Sequence, residues 1–98
     1  MRVRLISKNT IEKYVKAHSN SRASFEIWLS KVKGADWKSP EDIMETFPSA
    51  DLLGDGTEKV IFDIGGNNYR IICKYWFSRD DVHLYVKWIG THAEYDKL

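Results

Sequence analysis

His92 and Tyr95 stand three residues apart near the end of the chain, just after a run that alternates like a strand and carries Lys87. A second such run carries Arg70 and Lys74. An imidazole, a phenol and fixed cations are the parts needed to cut RNA without a metal. The ribose 2′-hydroxyl attacks the adjacent phosphorus. The protein supplies a base for that hydroxyl, cations for the phosphorane charge and an acid for the leaving 5′-oxygen. His92 is of the type that titrates near neutral pH, and its place after the last strand suits a side chain held at a sheet rim yet open to solvent. The same residues also have plain structural uses: a lone histidine is often merely exposed, and a tyrosine there can anchor the chain end into the core.

Other chemistries lack their parts. There is no Walker loop, no GxSxG elbow and no glycine fingerprint that leads from a strand into a helix. Gly65-Gly66 is followed by a strand-like run, so it reads as a hairpin turn. Asp51-Leu52-Leu53-Gly54-Asp55-Gly56 lacks a third-position oxygen ligand and a closing Glu, so it is not a calcium loop. His18, His83 and His92 show no metal-ligand spacing, and one cysteine, Cys73, builds neither a zinc site nor an internal disulfide. No cofactor and no metal is assigned.

The elements that must position these residues read as strand, helices, then strands. Residues 2–6 alternate, with Val3 and Leu5 on one face and Arg2 and Arg4 on the other. Asn9 with Glu12 resembles a capping box, and Ile11, Tyr14, Val15 and His18 follow at helical spacing. Ser19-Asn20-Ser21 breaks that helix. Ala23, Ile27, Trp28 and Val32 form the apolar stripe of a second one, stopped at Gly34. Ser39-Pro40-Glu41-Asp42 predicts an N-cap, a proline at the first helical position and acids in the first turn of a short helix that ends before Pro48. Residues 49–57 read as a loop.

From Lys59 the period becomes two. Val60, Phe62 and Ile64 share one face; Gly65-Gly66-Asn67-Asn68 makes a hairpin in which an asparagine supplies a left-handed residue. Tyr69, Ile71, Cys73, Tyr75 and Phe77 form the apolar face of the next strand. Ser78-Arg79-Asp80-Asp81 turns the chain, and Val82, Leu84, Val86 and Trp88 form the apolar face of the last strand. Residues 90–95 read as a tail or a short helical turn. The mixed faces, with Arg70, Lys74, Tyr85 and Lys87, look outward, and Arg2 and Arg4 join them if the first strand pairs in this sheet. Such a basic-aromatic face suits RNA phosphates and stacked bases, and equally a sheet face kept soluble by long side chains.

The chain has 98 residues, 43% of them hydrophobic, which fits one domain over 1–98 with one modest core. Its net charge of +1 hides a division: residues 1–38 carry nine Lys/Arg against three acids, and residues 39–66 carry one Lys against seven acids. A molecule so divided attracts a polyanion on one side, although a charged surface can also be laid out by chance. No apolar run is long enough to cross a membrane, and the N-terminus lacks the apolar core of a signal peptide, so the chain reads as cytoplasmic.

Four segments together carry a resemblance. Ala35-Asp36-Trp37-Lys38, Phe47-Pro48-Ser49-Ala50-Asp51, Val60-Ile61-Phe62-Asp63-Ile64-Gly65-Gly66-Asn67-Asn68-Tyr69-Arg70 and Gly90-Thr91-His92-Ala93-Glu94-Tyr95-Asp96 resemble the HigB branch of type II toxin–antitoxin toxins. The resemblance covers nearly the whole chain. It implies an α+β, RelE-like fold, with an N-terminal strand and helices packed on a small, mainly antiparallel sheet. It implies a ribosome-dependent mRNA interferase, a partner antitoxin of the HigA type with a helix-turn-helix domain, and operator DNA bound only through that antitoxin.

The matching positions make Arg70, His92 and Tyr95 the candidate catalytic residues: His92 as acid or base, Arg70 on the phosphorane, Tyr95 orienting the nucleotide or helping to move a proton. Lys74 and Lys87 would bind flanking phosphates, and Arg2, Arg4 and Lys38 would add contacts to message or ribosome. Charge and fold alone also fit a non-catalytic module that blocks translation by occupying RNA or ribosome, and an interaction domain for an acidic partner.

Overall fold

The structure, a computed structural model, describes residues 1–54 and 56–98; the segment rejected above as a calcium loop includes Asp55, which lies outside them. The chain runs β1 (Arg2–Ile6), α1 (Lys8–Ala17), a 3-10 turn (Ser19–Ser21), α2 (Arg22–Lys33), α3 (Glu41–Thr46), β2 (Asp51–Leu52), β3 (Lys59–Ile64), β4 (Tyr69–Phe77), β5 (Asp81–Thr91) and α4 (His92–Tyr95). The sheet order is β1-β5-β4-β3-β2. β1 lies parallel to β5, and the other neighbours are antiparallel. This is the expected α+β architecture, with the first strand in the sheet.

One face of the sheet meets the helices. Val3, Val60, Phe62, Ile64, Ile71, Cys73, Val82 and Leu84 from the strands are buried against Ile11, Val15, Phe25, Trp28 and Val32 from α1 and α2. Phe62 sits at the centre, with ring centroids 4.9 Å from Phe47 and 5.3 Å from Trp28, both edge-on. Trp37 is fully buried, and its indole N–H donates to Thr46 Oγ1 at 2.9 Å, so it ties the loop after α2 to α3 without an orphaned donor. Burial pushes the Cys73 thiol far up, so it acts as a small apolar side chain.

Several local expectations shift. Helix α1 starts earlier than Asn9 predicts: Ser7, in the left-handed region at φ 70°, turns the chain out of β1, so Asn9 already lies within the first turn. The buried stripe of α2 is Phe25, Trp28 and Val32 with Leu29 half-buried, and Ile27 is 62% exposed. Trp28 and Val32 keep their places, and the stripe rotates because Phe25 and Leu29 offer more apolar area than Ala23 and Ile27. Pro40, not Ser39, is the N-cap of α3, and Asp42 accepts from the backbone N–H of Lys38 at 2.7 Å instead. The predicted 49–57 loop contains the two-residue β2, which covers part of the β3 edge. In the β3–β4 hairpin both glycines, at φ 64° and 67°, take the left-handed positions expected of an asparagine. Gly65 is doubly constrained, because a Cβ there would stand 2.8 Å from Ser24 Oγ.

The largest departure is in β5. Ile72 pairs with Trp88, but the next residue, Cys73, pairs with Val86. Lys87 is thus the extra residue of a β-bulge, and the bulge reverses which side chains face the core. Ile89, not Trp88, continues the apolar face of Val82, Leu84 and Val86. Trp88 turns out to the open side of the sheet.

Candidate functional site

The open face of the sheet collects the residues singled out by type. Arg70 on β4 pairs with Asp63 of β3 on one side and with Gly90 of β5 on the other. Its Nε lies 3.2 Å from Asp63 Oδ1, an ion-pair distance without the alignment of a hydrogen bond. Its guanidinium carbon lies 4.6 Å from the centre of the Tyr95 ring, well within cation–π range. With its side chain 22% exposed, Arg70 is a cation sandwiched between a carboxylate and an aromatic face, yet open to solvent. Such a planar, permanently charged fork matches two oxygens of a phosphate.

Helix α4 brings Tyr95 to that place. Thr91 caps it with both bonds of a capping box: its hydroxyl accepts from the Glu94 N–H at 3.1 Å, and Glu94 Oε1 accepts from the Thr91 N–H at 2.7 Å. The bond from the Thr91 backbone N–H, and after it the nearby Thr91 hydroxyl, holds the Glu94 carboxyl below its ordinary range. The His92 N–H donates to the carbonyl of Asn68 at 3.2 Å, so the hairpin turn docks on the start of the helix. Trp88, put outward by the bulge, packs 6.1 Å from Tyr95. Its indole crosses Gly90 so closely that a Cβ there would stand 2.4 Å from the ring. Gly90 is therefore a close-approach glycine.

His92 opens α4, and Tyr95 follows at i+3, so the two are neighbours on the helix surface. His92 Nδ1 lies 3.1 Å from Asp96 Oδ2, with the imidazole side chain 37% exposed. A carboxylate at Nδ1 favours the proton there and leaves Nε2 as the accepting nitrogen. That is the tautomer a general base needs.

The remaining candidates are spread out. Lys74 and Lys87 are exposed, the first on β4 opposite Tyr85, the second at the bulge. Arg2 and Arg4 point outward from β1, and Arg4 Nη1 lies 3.5 Å from Asp81 Oδ2. Lys38 is exposed on the α2–α3 connection, outside the sheet and α4. Sequence reasoning missed Asp63, Trp88 and Asp96. The i, i+4 spacing of His92 and Asp96 and the Thr91-x-x-Glu94 capping box were legible signals for α4 and its orientation; nothing in the sequence announced Trp88, because its position depends on the bulge. Beside Tyr95, Ile61, Ile72 and Leu98 line a shallow groove of about 410 Å³.

A mixed five-stranded sheet with α1 and α2 on one face, and with Arg70 against Tyr95 of the short α4 on the other, defines a small α+β protein. Residues 21–98 match the family model of the HigB toxin, described as the RelE-like toxic component of a toxin–antitoxin system. The chain is 31% identical over 94 residues to the mRNA interferase HigB of Escherichia coli O6:H1 (strain CFT073), an alignment that covers 96% of this chain and 89% of that protein. It is 23% identical over 92 residues to the mRNA interferase toxin HigB of Escherichia coli K12 and to the mRNA interferase HigB of Shigella flexneri, covering 94% of this chain and 86% of each relative. The chain belongs to the HigB toxin family, the fold is RelE-like as expected, and the family places it in a system with an antitoxin partner.

Proposed function

We propose that this chain is the toxin of a type II toxin–antitoxin system and an endoribonuclease that cuts mRNA on the ribosome. Its relatives carry the name mRNA interferase, and the residues of the open sheet face suit 2′-hydroxyl attack at phosphorus. The observation that carries the reading is Arg70, a partly exposed cation held between Asp63 and the Tyr95 ring.

In the proposed reaction the scissile phosphate lies on Arg70. His92 Nε2 takes the proton from the 2′-hydroxyl as the oxygen–phosphorus bond forms. Arg70 balances the charge that grows on the phosphorane oxygens, where a fixed cation is worth more than in the ground state. A protonated group then gives its proton to the 5′-oxygen as the phosphorus–oxygen bond breaks, leaving a 2′,3′-cyclic phosphate and a free 5′-hydroxyl. Tyr95 orients Arg70 and the nucleotide. Lys74 and Lys87 hold flanking phosphates, and Arg2, Arg4 and Lys38 add contacts to the message or the ribosome. None of these steps calls on a metal or cofactor.

The partner in this reading is an antitoxin of the HigA type with a helix-turn-helix domain, and operator DNA is reached only through it. The toxin acts in the cytoplasm, where translated message is found. No helix among the described residues is long and apolar enough to cross a membrane.

Primer extension on message incubated with purified protein, with and without translating ribosomes and with a chelator present, tests the reading. Cuts confined to translated message, surviving chelation and lost in Arg70→Ala, are the expected result. Translation arrest without cuts would replace the nuclease reading with blockade by occupancy.

A further inference from the structure

The end of the open face remote from Arg70 carries a second cluster, in which Trp76, His83 and Tyr85 have no part in the proposed cleavage and Lys74 and Arg4 enter it only as contacts to the message. Trp76 on β4 is 54% exposed and stands outside the core. It pairs across the sheet with His83 of β5, which pairs on its other side with Arg4 of β1. One pleat further along, the exposed Lys74 pairs with Tyr85. Indole, imidazole, phenol, guanidinium and ammonium thus lie on neighbouring strands of one face.

The centre of this cluster is held by side-chain contacts. His83 is held at both ring nitrogens: Nε2 is 3.0 Å from Asp81 Oδ1, and Nδ1 is 3.4 Å from the Tyr85 hydroxyl. The His83 and Tyr85 rings stand edge-on, 6.2 Å apart. Asp81 accepts from the Ser78 hydroxyl at 2.7 Å and pairs with Arg4 and His83, so the one carboxylate in the cluster is already engaged. The held His83 and Tyr85 rings, with the exposed indole and the exposed Lys74 and Arg4 beside them, make a platform for an unpaired base, with charges for the phosphates on either side of it. An exposed indole fixed on a strand loses little conformational freedom when a base stacks on it.

We propose that Trp76, backed by His83 and Tyr85, is a base-stacking subsite for single-stranded RNA, with Lys74 and Arg4 taking the phosphates that flank the stacked base. The proposal rests on the nuclease reading for its role in turnover, but not for binding. Trp76 stands six residues from Arg70 along β4, about 20 Å at strand spacing. The subsite therefore engages the message several nucleotides away from the cut. It sets affinity and the register of the strand, and it is a positioning site with no part in proton transfer.

The test is binding of a fluorescent single-stranded RNA oligonucleotide, 2′-O-methylated so that it cannot be cut, to the full chain and to Trp76→Ala, Trp76→Phe and Lys74→Ala. Loss of a base–aromatic stack weakens binding roughly 5- to 100-fold in Trp76→Ala, and Trp76→Phe, which keeps a ring, recovers most of it. Lys74→Ala lowers the slope of log affinity against log salt by about 0.7, the share of one phosphate on a single strand. On cleavable translated message, Trp76→Ala raises KM and leaves kcat near that of the unsubstituted chain.

Equal binding by Trp76→Ala and the unsubstituted chain overturns the subsite while leaving the nuclease reading intact. Failure of the unsubstituted chain to bind the oligonucleotide overturns it as well. A Trp76→Ala variant that binds RNA normally but releases the antitoxin would make this face a protein-docking surface instead. If the unsubstituted chain binds RNA through Trp76 yet cuts no message, the nuclease reading fails and the subsite stands.

Discussion

Arg70 shows how much of a side chain's use depends on what surrounds it. A lysine at this position would keep the charge but lose the planar face on Tyr95 and the two-pronged match to a phosphate. Arg70→Lys is therefore expected to cut message far more slowly, by roughly 10- to 1,000-fold, with little change in melting temperature. A rate within twofold of the unsubstituted chain would mean that charge alone suffices. His92 differs in kind. Its imidazole is oriented by Asp96, and the i, i+4 contact is solvent-exposed and contributes little to stability. Asp96→Asn keeps the shape and removes the carboxylate. The expected result is a fall in kcat with KM nearly unchanged, read from the rate against message concentration. An unchanged kcat would remove His92 from the proton-transfer role.

At the scale of elements, the site depends on two short devices near the chain end. The bulge at Lys87 turns Trp88 outward, and Gly90 lets its indole pass close over the backbone to reach Tyr95. In Gly90→Ala the new methyl must push the indole away, so a loss of about 1–3 kcal/mol is expected together with weaker cleavage. Denaturant unfolding and message cleavage measured on the same variant check both. The capping box on α4 is the second device. Thr91→Ala removes the hydroxyl that accepts from the Glu94 N–H and costs about 1 kcal/mol. Because α4 carries both His92 and Tyr95, cleavage should drop further than that small loss of global stability would explain. Parallel loss of stability and activity would argue against a local effect.

For the whole molecule, charge and acid stability are linked. The Ser78 hydroxyl, with His83 and Arg4 behind it, holds the Asp81 carboxyl below its ordinary range; its bond to the N-terminus does the same for Asp36. A carboxylate with a lowered folded pKa stabilises the fold fully at neutral pH and loses that contribution as the pH falls through its folded value. The chain should therefore destabilise on the acid side, below about pH 4. Ser78→Ala should narrow the difference between unfolding free energies at pH 7 and pH 3, as followed by denaturant titration. An unchanged difference would show that the Ser78–Asp81 bond carries no linkage. Of the basic residues 1–38, β1 forms one edge of the sheet while α1 and α2 cover one face; the acidic 39–66 segment supplies α3 and, at the opposite edge, β2 and β3.

The order of strands and helices, the hairpin at Gly65-Gly66 and the outward faces of β1 and β4 were legible in the sequence, because period and turn chemistry are local properties of the backbone. The likeness to HigB toxins was legible as well, since it rests on short runs of residue types. Arg70, His92 and Tyr95 could be nominated by type and resemblance, but the stack of Arg70 under Tyr95 could not. It requires β4 and α4 to meet across the sheet, a contact between residues 25 apart in sequence. The face of Trp88 was misread for the same reason. Alternation assigns every second residue of a strand to one side, and a single extra residue reverses that assignment. Whether β5 bulges at Lys87 is decided by what its neighbours accept: Ile89 fits against the helices, and the indole of Trp88 fits over Gly90 beside Tyr95. The sequence by itself determined the elements and the chemistry available to them. Tertiary packing alone decided which of those side chains stand together.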